Sequence, residues 1–212
     1  MDKLHPLQWL SRGLKPLLFL ACLLPLLLLL WDAFHHSLGA NPVEEIIHRT
    51  GLWALRLLLL TLAITPLRRL TGWNQLIRLR RMLGLYSFFY ALLHFLAYGW
   101  LEHTFRLPLI LQDVVEHPYV ALGFSSFLLL VPLAATSTNR MIRLLGGRRW
   151  QRLHRLVYLC ALGATLHYLW LVKVDTRAPL LYLALLALLL VARMPLFWSG
   201  APVSRIFQRA GK

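Results

Sequence analysis

Nine histidines are spread along 212 residues, and three of them, His94, His154 and His167, stand inside long apolar stretches. An ionisable ring at membrane depth is costly, so it marks a function: haem ligation, a proton relay, or a hydrogen bond between helices. The apolar stretches hold almost no carboxylate, which disfavours the relay. His5, His35, His36, His48, His103 and His117 fall in a tail or in polar connections, where solvated or interfacial side chains are expected. His35 and His36 are neighbours, and on a helix end their rings would point apart rather than chelate. The chain has no Cys-x-x-Cys-His sequence, so any haem would be held without a covalent link. Cys22 and Cys160 lie within apolar blocks and read as packing residues.

The stretches that carry these residues read as membrane helices. Hydrophobic residues make up 58% of the chain and gather into blocks, each near the length that crosses about 30 Å of hydrocarbon. Six spans can be drawn, at about 14–31, 51–67, 82–101, 119–135, 150–172 and 178–197. They are apolar on every side and lack the alternation of a barrel strand, so the expected fold is an all-α, six-helix transmembrane bundle. Short connections point to a single transmembrane domain over residues 1–212, with no separate soluble domain. Lys3, Arg12 and Lys15 precede the first block as they would in a signal peptide, but Trp31-Asp32-Ala33-Phe34 follows it in place of a small-x-small site. A retained helix is expected, with Pro16 and Pro25 tolerated or kinking it.

A formal charge of +15 would suggest nucleic acid in a soluble protein. Here the placement of the charges gives another reason. Arg68, Arg69, Arg78, Arg80 and Arg81 fill the second connection, and Arg140, Arg143, Arg148, Arg149, Arg152 and Arg155 fill the fourth, with no acid in either. The first connection holds Asp32, Glu44 and Glu45 against Arg49, and the third holds Glu102, Asp113 and Glu116 against Arg106. Arg193, Arg205, Arg209 and Lys212 follow in the tail. By the positive-inside rule both termini and the basic connections are cytoplasmic, in a multi-pass protein of a bacterial inner membrane. The basic connections also suit anionic lipid heads, or an anionic cofactor or partner. Nucleic acid is not expected.

Depth then sorts the histidines. His94 lies thirteen residues beyond Arg81, and His167 twelve beyond Arg155, so both stand roughly 18–20 Å along helices of the same direction. Two imidazoles at one level can clamp a flat macrocycle, and the expected site is a bis-histidine b-type haem nearer the outer face. Trp100, Tyr168 and Trp170 follow as an outer aromatic belt would. A plain hydrogen-bonded pair between helices is the competing use. His154 is near the inner end, where a partner would stand about at Arg81, and arginine is no iron ligand. The inner position therefore takes a haem with one protein ligand or an unusual partner, or another redox group. His154 and His167 are thirteen residues apart, about 140° round a regular helix, and share a face only if that helix is irregular, for instance near Gly163. Arg56, about one turn inside the outer end of its span, either snorkels or pairs with a haem propionate. Arg78 and Arg81, with Arg80, Arg149 and Arg152, are candidates to hold a phosphate or propionate at the inner face.

Several stretches together resemble a known family. They are Leu38-Gly39-Ala40-Asn41-Pro42, Arg80-Arg81-Met82-Leu83-Gly84-Leu85, Ala91-Leu92-Leu93-His94, Thr136-Ser137-Thr138, Trp150-Gln151-Arg152-Leu153-His154 and His167-Tyr168-Leu169-Trp170. In this order and spacing they are similar to the haem-binding membrane subunits of periplasmic methionine sulfoxide reductase systems. The resemblance runs to about Trp198. It implies a ferric-reductase-like transmembrane domain carrying b-type haem and FMN. Electrons would come from the quinone pool or a cytoplasmic flavin reductase and pass to a periplasmic molybdopterin enzyme that repairs oxidised methionines. His94, His154 and His167 match the haem histidines of the family. Relatives with two bis-histidine haems carry another histidine near Arg81, and this chain departs from them there. Only about fifteen residues follow the last span, so a flavin and nicotinamide domain is expected on a separate partner. The alternatives are a cytochrome b of the ferric-reductase or oxidase type with another acceptor, or a haem-free transporter.

Overall fold

The computed structural model describes residues 13–194, and all regular structure among them is helical. In chain order the helices are α1 (Lys15–Phe34), α2 (Pro42–Thr71), α3 (Ile77–Ala97), α4 (Leu107–Glu116), α5 (Pro118–Ala135), α6 (Asn139–Leu145), α7 (Gly147–His154), α8 (Val157–Leu171) and α9 (Arg177–Val191). A π-helical turn, Tyr98–Glu102, prolongs α3. His5, the basic tail from Arg205 and the last three residues of the sixth expected span lie outside the described residues.

Four stretches are long and apolar enough to cross a membrane: α1, α2, Asn74–Glu102 and α5. The fifth and sixth expected spans are shorter helices, α8 and α9, of 15 residues each. Residues 150–172 do not form one helix: a turn at Arg155 and Leu156 separates α7 from α8. The irregularity that the spacing of His154 and His167 requires is at this turn, not at Gly163. Its cause is local, since α7 (Gly-Arg-Arg-Trp-Gln-Arg-Leu-His) is too polar to continue an apolar span. The third connection also differs from expectation. It contains the amphipathic α4, which turns Ile110 inward and leaves Leu107 and Val115 exposed.

The longest element, α2, is defined by signals at both ends. The Asn41 side chain accepts from the Glu44 N–H at 3.3 Å, Pro42 opens the first turn, and Glu44 and Glu45 sit at the positive end of the helix dipole. Arg68 and Arg69 occupy the last turn, and Gly72, at φ +69°, closes the helix in the left-handed region. The bundle thus has an acidic end and a basic end.

Antiparallel pairs build the bundle. Helix α2 packs closely along α3, α5 packs along α8, and the two pairs touch each other much less. Small residues allow the close approach: a Cβ at Gly163 would run into the Ser126 hydroxyl. Helix α2 serves two apolar cores. Leu55, Leu58 and Leu62 meet Leu130, Cys160 and Leu186 on one side, while Leu57 and Ile64 meet Leu79, Leu83 and Tyr90 on the other. Both cysteines are free and buried, as packing residues should be.

Helix α1 is joined to α3 through a break in its own ladder. The Tyr90 hydroxyl donates to the Cys22 carbonyl at 2.8 Å and accepts from the Leu26 N–H at 3.1 Å. It is inserted between two groups that a regular helix would pair directly, next to Pro25. Few other side chains of α1 are buried, so most of its leucines face outward, as on a lipid-facing helix.

Candidate functional site

His94, late in α3, and His167, late in α8, face each other across the gap between the two helix pairs. Their ring centroids are 6.2 Å apart, with the planes at 71°. Each ring is fixed in the same way by the helix paired with its own. His94 Nδ1 lies 2.8 Å from the Ile47 carbonyl on α2, and His167 Nδ1 lies 2.7 Å from the Tyr119 carbonyl on α5. A carbonyl can only accept, so both Nδ1 atoms carry the proton and both Nε2 atoms keep a lone pair. This is the tautomer in which imidazole ligates a metal through Nε2, with its ring oriented by an outer hydrogen bond.

The accepting carbonyls are reachable because a glycine follows each by four residues: Gly51 after Ile47, Gly123 after Tyr119. A helical side chain leans towards the N-terminus and covers the preceding turn, so a glycine there uncovers the carbonyl beneath. A Cβ at Gly51 would stand 3.0 Å from the His94 ring, and one at Gly123 would stand 2.8 Å from His167. The two halves of the site repeat one device on two helix pairs.

The separation of the two ring centres fits a haem iron. A bond of about 2 Å from each imidazole nitrogen to a metal, with each ring centre roughly 1 Å further back, sets the centroids about 6 Å apart. Tyr119 stacks beside His167 at 6.3 Å, and Phe95 stacks on Phe127 at 4.9 Å between α3 and α5, so the surroundings are aromatic and apolar.

His154 lies elsewhere. It ends α7, stacks on Trp150 at 3.9 Å, and its Nε2 is 3.1 Å from the Thr136 hydroxyl. Trp150 donates to the Thr136 carbonyl at 2.9 Å, which ties α7 to the end of α5. His154 borders a cavity of about 270 Å³ at the basic end, together with Arg80, Arg81, Thr61, Gly84 and Phe88. No second histidine borders it.

The arginines sort differently from expectation. Arg56 donates from Nε to the Tyr182 hydroxyl at 2.8 Å and stacks its guanidinium over Trp53. Arg78 and Arg81 both border a groove between α1 and α3, and Arg81 also donates to Asn139 at 2.8 Å. Arg80 borders the His154 cavity and not the groove. Fourteen residues before His94, Arg80 returns to within about 40° of that residue's face of the helix, whereas Arg81 lines both the cavity and the groove. Arg193, read only as a tail charge, is a clasp. It donates to the Leu62 carbonyl and Thr65 hydroxyl of α2 and, at 2.8 Å, to the Tyr158 hydroxyl of α8.

Of the other described histidines, His48 stands tilted beside Tyr168 at 5.9 Å. His35 stacks on Trp31, and His103 and His117 flank Asp113 at 3.4 and 2.7 Å, beside a hydrogen bond from Tyr98 to the same carboxylate. Among the described residues no group of three or more His, Cys, Asp or Glu is placed to hold a metal ion.

Comparison with known proteins identifies the family. Residues 50–165 match the family described as the ferric reductase like transmembrane component. That range takes in Gly51, His94, Gly123 and His154 and stops two residues before His167. The chain is 52% identical, over its whole length and 97% of the relative's, to the protein-methionine-sulfoxide reductase heme-binding subunit MsrQ of Herminiimonas arsenicoxydans. Subunits of the same name from Xanthomonas campestris pv. campestris (strain B100) and Ralstonia nicotianae are 56% and 47% identical. They cover 80% and 90% of this chain, and 80% and 88% of their own lengths. The chain is therefore an integral membrane protein with a ferric-reductase-like transmembrane domain, and it belongs to the MsrQ family of haem-binding subunits.

Proposed function

We propose that His94 and His167 are the two axial ligands of a b-type haem, and that the chain is the electron-carrying membrane subunit of a methionine sulfoxide reductase system. The supporting observation is the 6.2 Å separation of two rings whose Nδ1 atoms both donate to backbone carbonyls. A haem bound there supplies a one-electron iron couple, low-spin under two imidazoles and suited to electron transfer rather than oxygen binding. The protein's part is to hold both Nε2 lone pairs towards one point, to fix ring rotation through Ile47 and Tyr119, and to keep water out with Phe95, Phe127 and Tyr119. Arg56 neutralises charge near the rim of this site, positioned by Tyr182 and Trp53.

The relatives' names speak of a haem-binding subunit of methionine sulfoxide reductase, and the same role is proposed here. The His94–His167 site faces the periplasm of an inner-membrane protein whose termini are cytoplasmic, since the two arginine-rich connections that hold no acid are at the other end. The acceptor is a periplasmic molybdopterin-dependent reductase acting on oxidised methionines. The donor is the quinone pool or a cytoplasmic flavin reductase. His154, with Arg80, belongs to an inner relay site for a second redox group, either FMN or a haem with one histidine ligand.

Purified protein should show a reduced b-type spectrum with about one haem per chain at the His94–His167 site. His94→Ala and His167→Ala should each remove most of it, while His154→Ala should leave it. Full haem content in both of the first two variants would refute the pairing.

A further inference from the structure

A groove of about 800 Å³ runs between α1 and α3; no histidine lines it, and it shares Ile77 and Arg81 with the rim of the His154 cavity. Its chemistry changes along its length. Lys15, the first residue of α1, and Arg78 and Arg81, in the first two turns of α3, stand at the basic end. Phe19 and Leu23 follow on α1, and Met82, Leu85, Tyr86 and Phe89 follow on α3. No carboxylate borders it. Phe19, Ile77 and Leu85 are exposed, so the groove is open along the side of the bundle. Lys15 to Leu23 spans eight residues, roughly 12 Å, close to the depth of one leaflet in a core about 30 Å thick.

We propose that this groove is a binding site for one anionic phospholipid, with the phosphate on Lys15, Arg78 and Arg81 and an acyl chain along Phe19, Leu23, Leu85 and Phe89. The polarity matches a lipid in the leaflet at the basic end: cations at the headgroup level and hydrocarbon below them. A flavin or quinone headgroup would need hydrogen-bond partners deeper in the groove. The wall offers one hydroxyl there, Tyr86, which already donates to the Phe19 carbonyl at 3.1 Å. That bond, and the edge-on contact of Phe19 with Tyr86 at 5.3 Å, hold α1 against α3 and keep the floor in shape. An acyl chain needs only shape and apolar surface.

The test is native mass spectrometry of delipidated full-length protein titrated with phosphatidylglycerol, phosphatidylcholine, FMN or ubiquinone. One tightly retained phosphatidylglycerol per chain is expected, preferred over phosphatidylcholine by on the order of tenfold. The double variant Lys15→Gln/Arg78→Gln should lose that preference. A control that removes the same charge elsewhere at the basic end, Arg143→Gln/Arg148→Gln, should keep it. Leu85→Trp, which fills the groove without touching the cations, should also expel the lipid, and elution as a single species will show that each variant is folded. Equal loss in both double variants would overturn the proposal in favour of bulk attraction by net charge. Absence of any preference over phosphatidylcholine would overturn it, as would displacement of the lipid by stoichiometric FMN or ubiquinone.

Discussion

At the scale of single residues, each of the two proposed ligand rings depends on a side chain that is absent. Gly51 and Gly123 leave room for His94 and His167 and bare the carbonyls that orient them. Adding a methyl group at either position crowds a ring in a packed interior, a change that costs about 1–3 kcal/mol. Gly123→Ala is expected to weaken haem retention about tenfold, and Gly51→Ala somewhat less, because the closest approaches are 2.8 and 3.0 Å. Gly84→Ala is the comparison: its Cβ would meet Thr61 at 3.7 Å, an ordinary contact, and should keep the haem of the His94–His167 site. Haem extracted per chain checks all three, and unchanged content in Gly123→Ala would contradict the account. The histidine pair was legible in the sequence because two helices of like direction carry rings at one depth. The glycines and carbonyls were not, since they belong to neighbouring helices and only packing brings them to the rings. Arg80 was legible in principle, through the helical period that returns it near the face of His94.

At the scale of elements, hydrogen bonds between helices hold the bundle where apolar surface gives no preference over lipid. Tyr90 bridges the Cys22 carbonyl and Leu26 amide inside α1, so Tyr90→Phe leaves both unpaired, at about 1–3 kcal/mol. The thermal midpoint in detergent should fall by several degrees, with haem content unchanged at the start of the melt. An unaltered midpoint would show that the bridge contributes nothing. Arg193→Met likewise cuts the end of α9 from Leu62 and Tyr158 and should lower the midpoint further, since one half-buried charged donor serves several acceptors. The helical blocks were readable from hydropathy, α1, α2, α3 and α5 most clearly. Two features were not. Helix α4 reads as a connection until Ile110 is seen to be buried against Gly99 and Phe105. The turn at Arg155 and Leu156 was missed because apolar residues resume at once in Val157.

At the scale of the whole molecule, the alternation of acidic and basic connections gives an orientation that labelling can check. The native thiols, Cys22 and Cys160, are buried, so an introduced cysteine can be read without removing them. Arg143→Cys should react with a membrane-impermeant maleimide only after the inner membrane is opened, and Glu116→Cys should react in intact spheroplasts. The reverse pattern would invert the protein and place the His94–His167 site on the cytoplasmic side. The architecture is two antiparallel pairs, α2–α3 and α5–α8, that pack tightly within themselves and loosely across the gap, with one of the two proposed ligand rings from each. The central claim is that both rings grip one iron, and electron paramagnetic resonance of the oxidised, purified protein tests it most directly. A low-spin ferric signal is predicted, converting to high-spin or vanishing in His94→Ala and equally in His167→Ala. A high-spin signal in the unmodified protein, or a low-spin signal that survives in both variants, would contradict it.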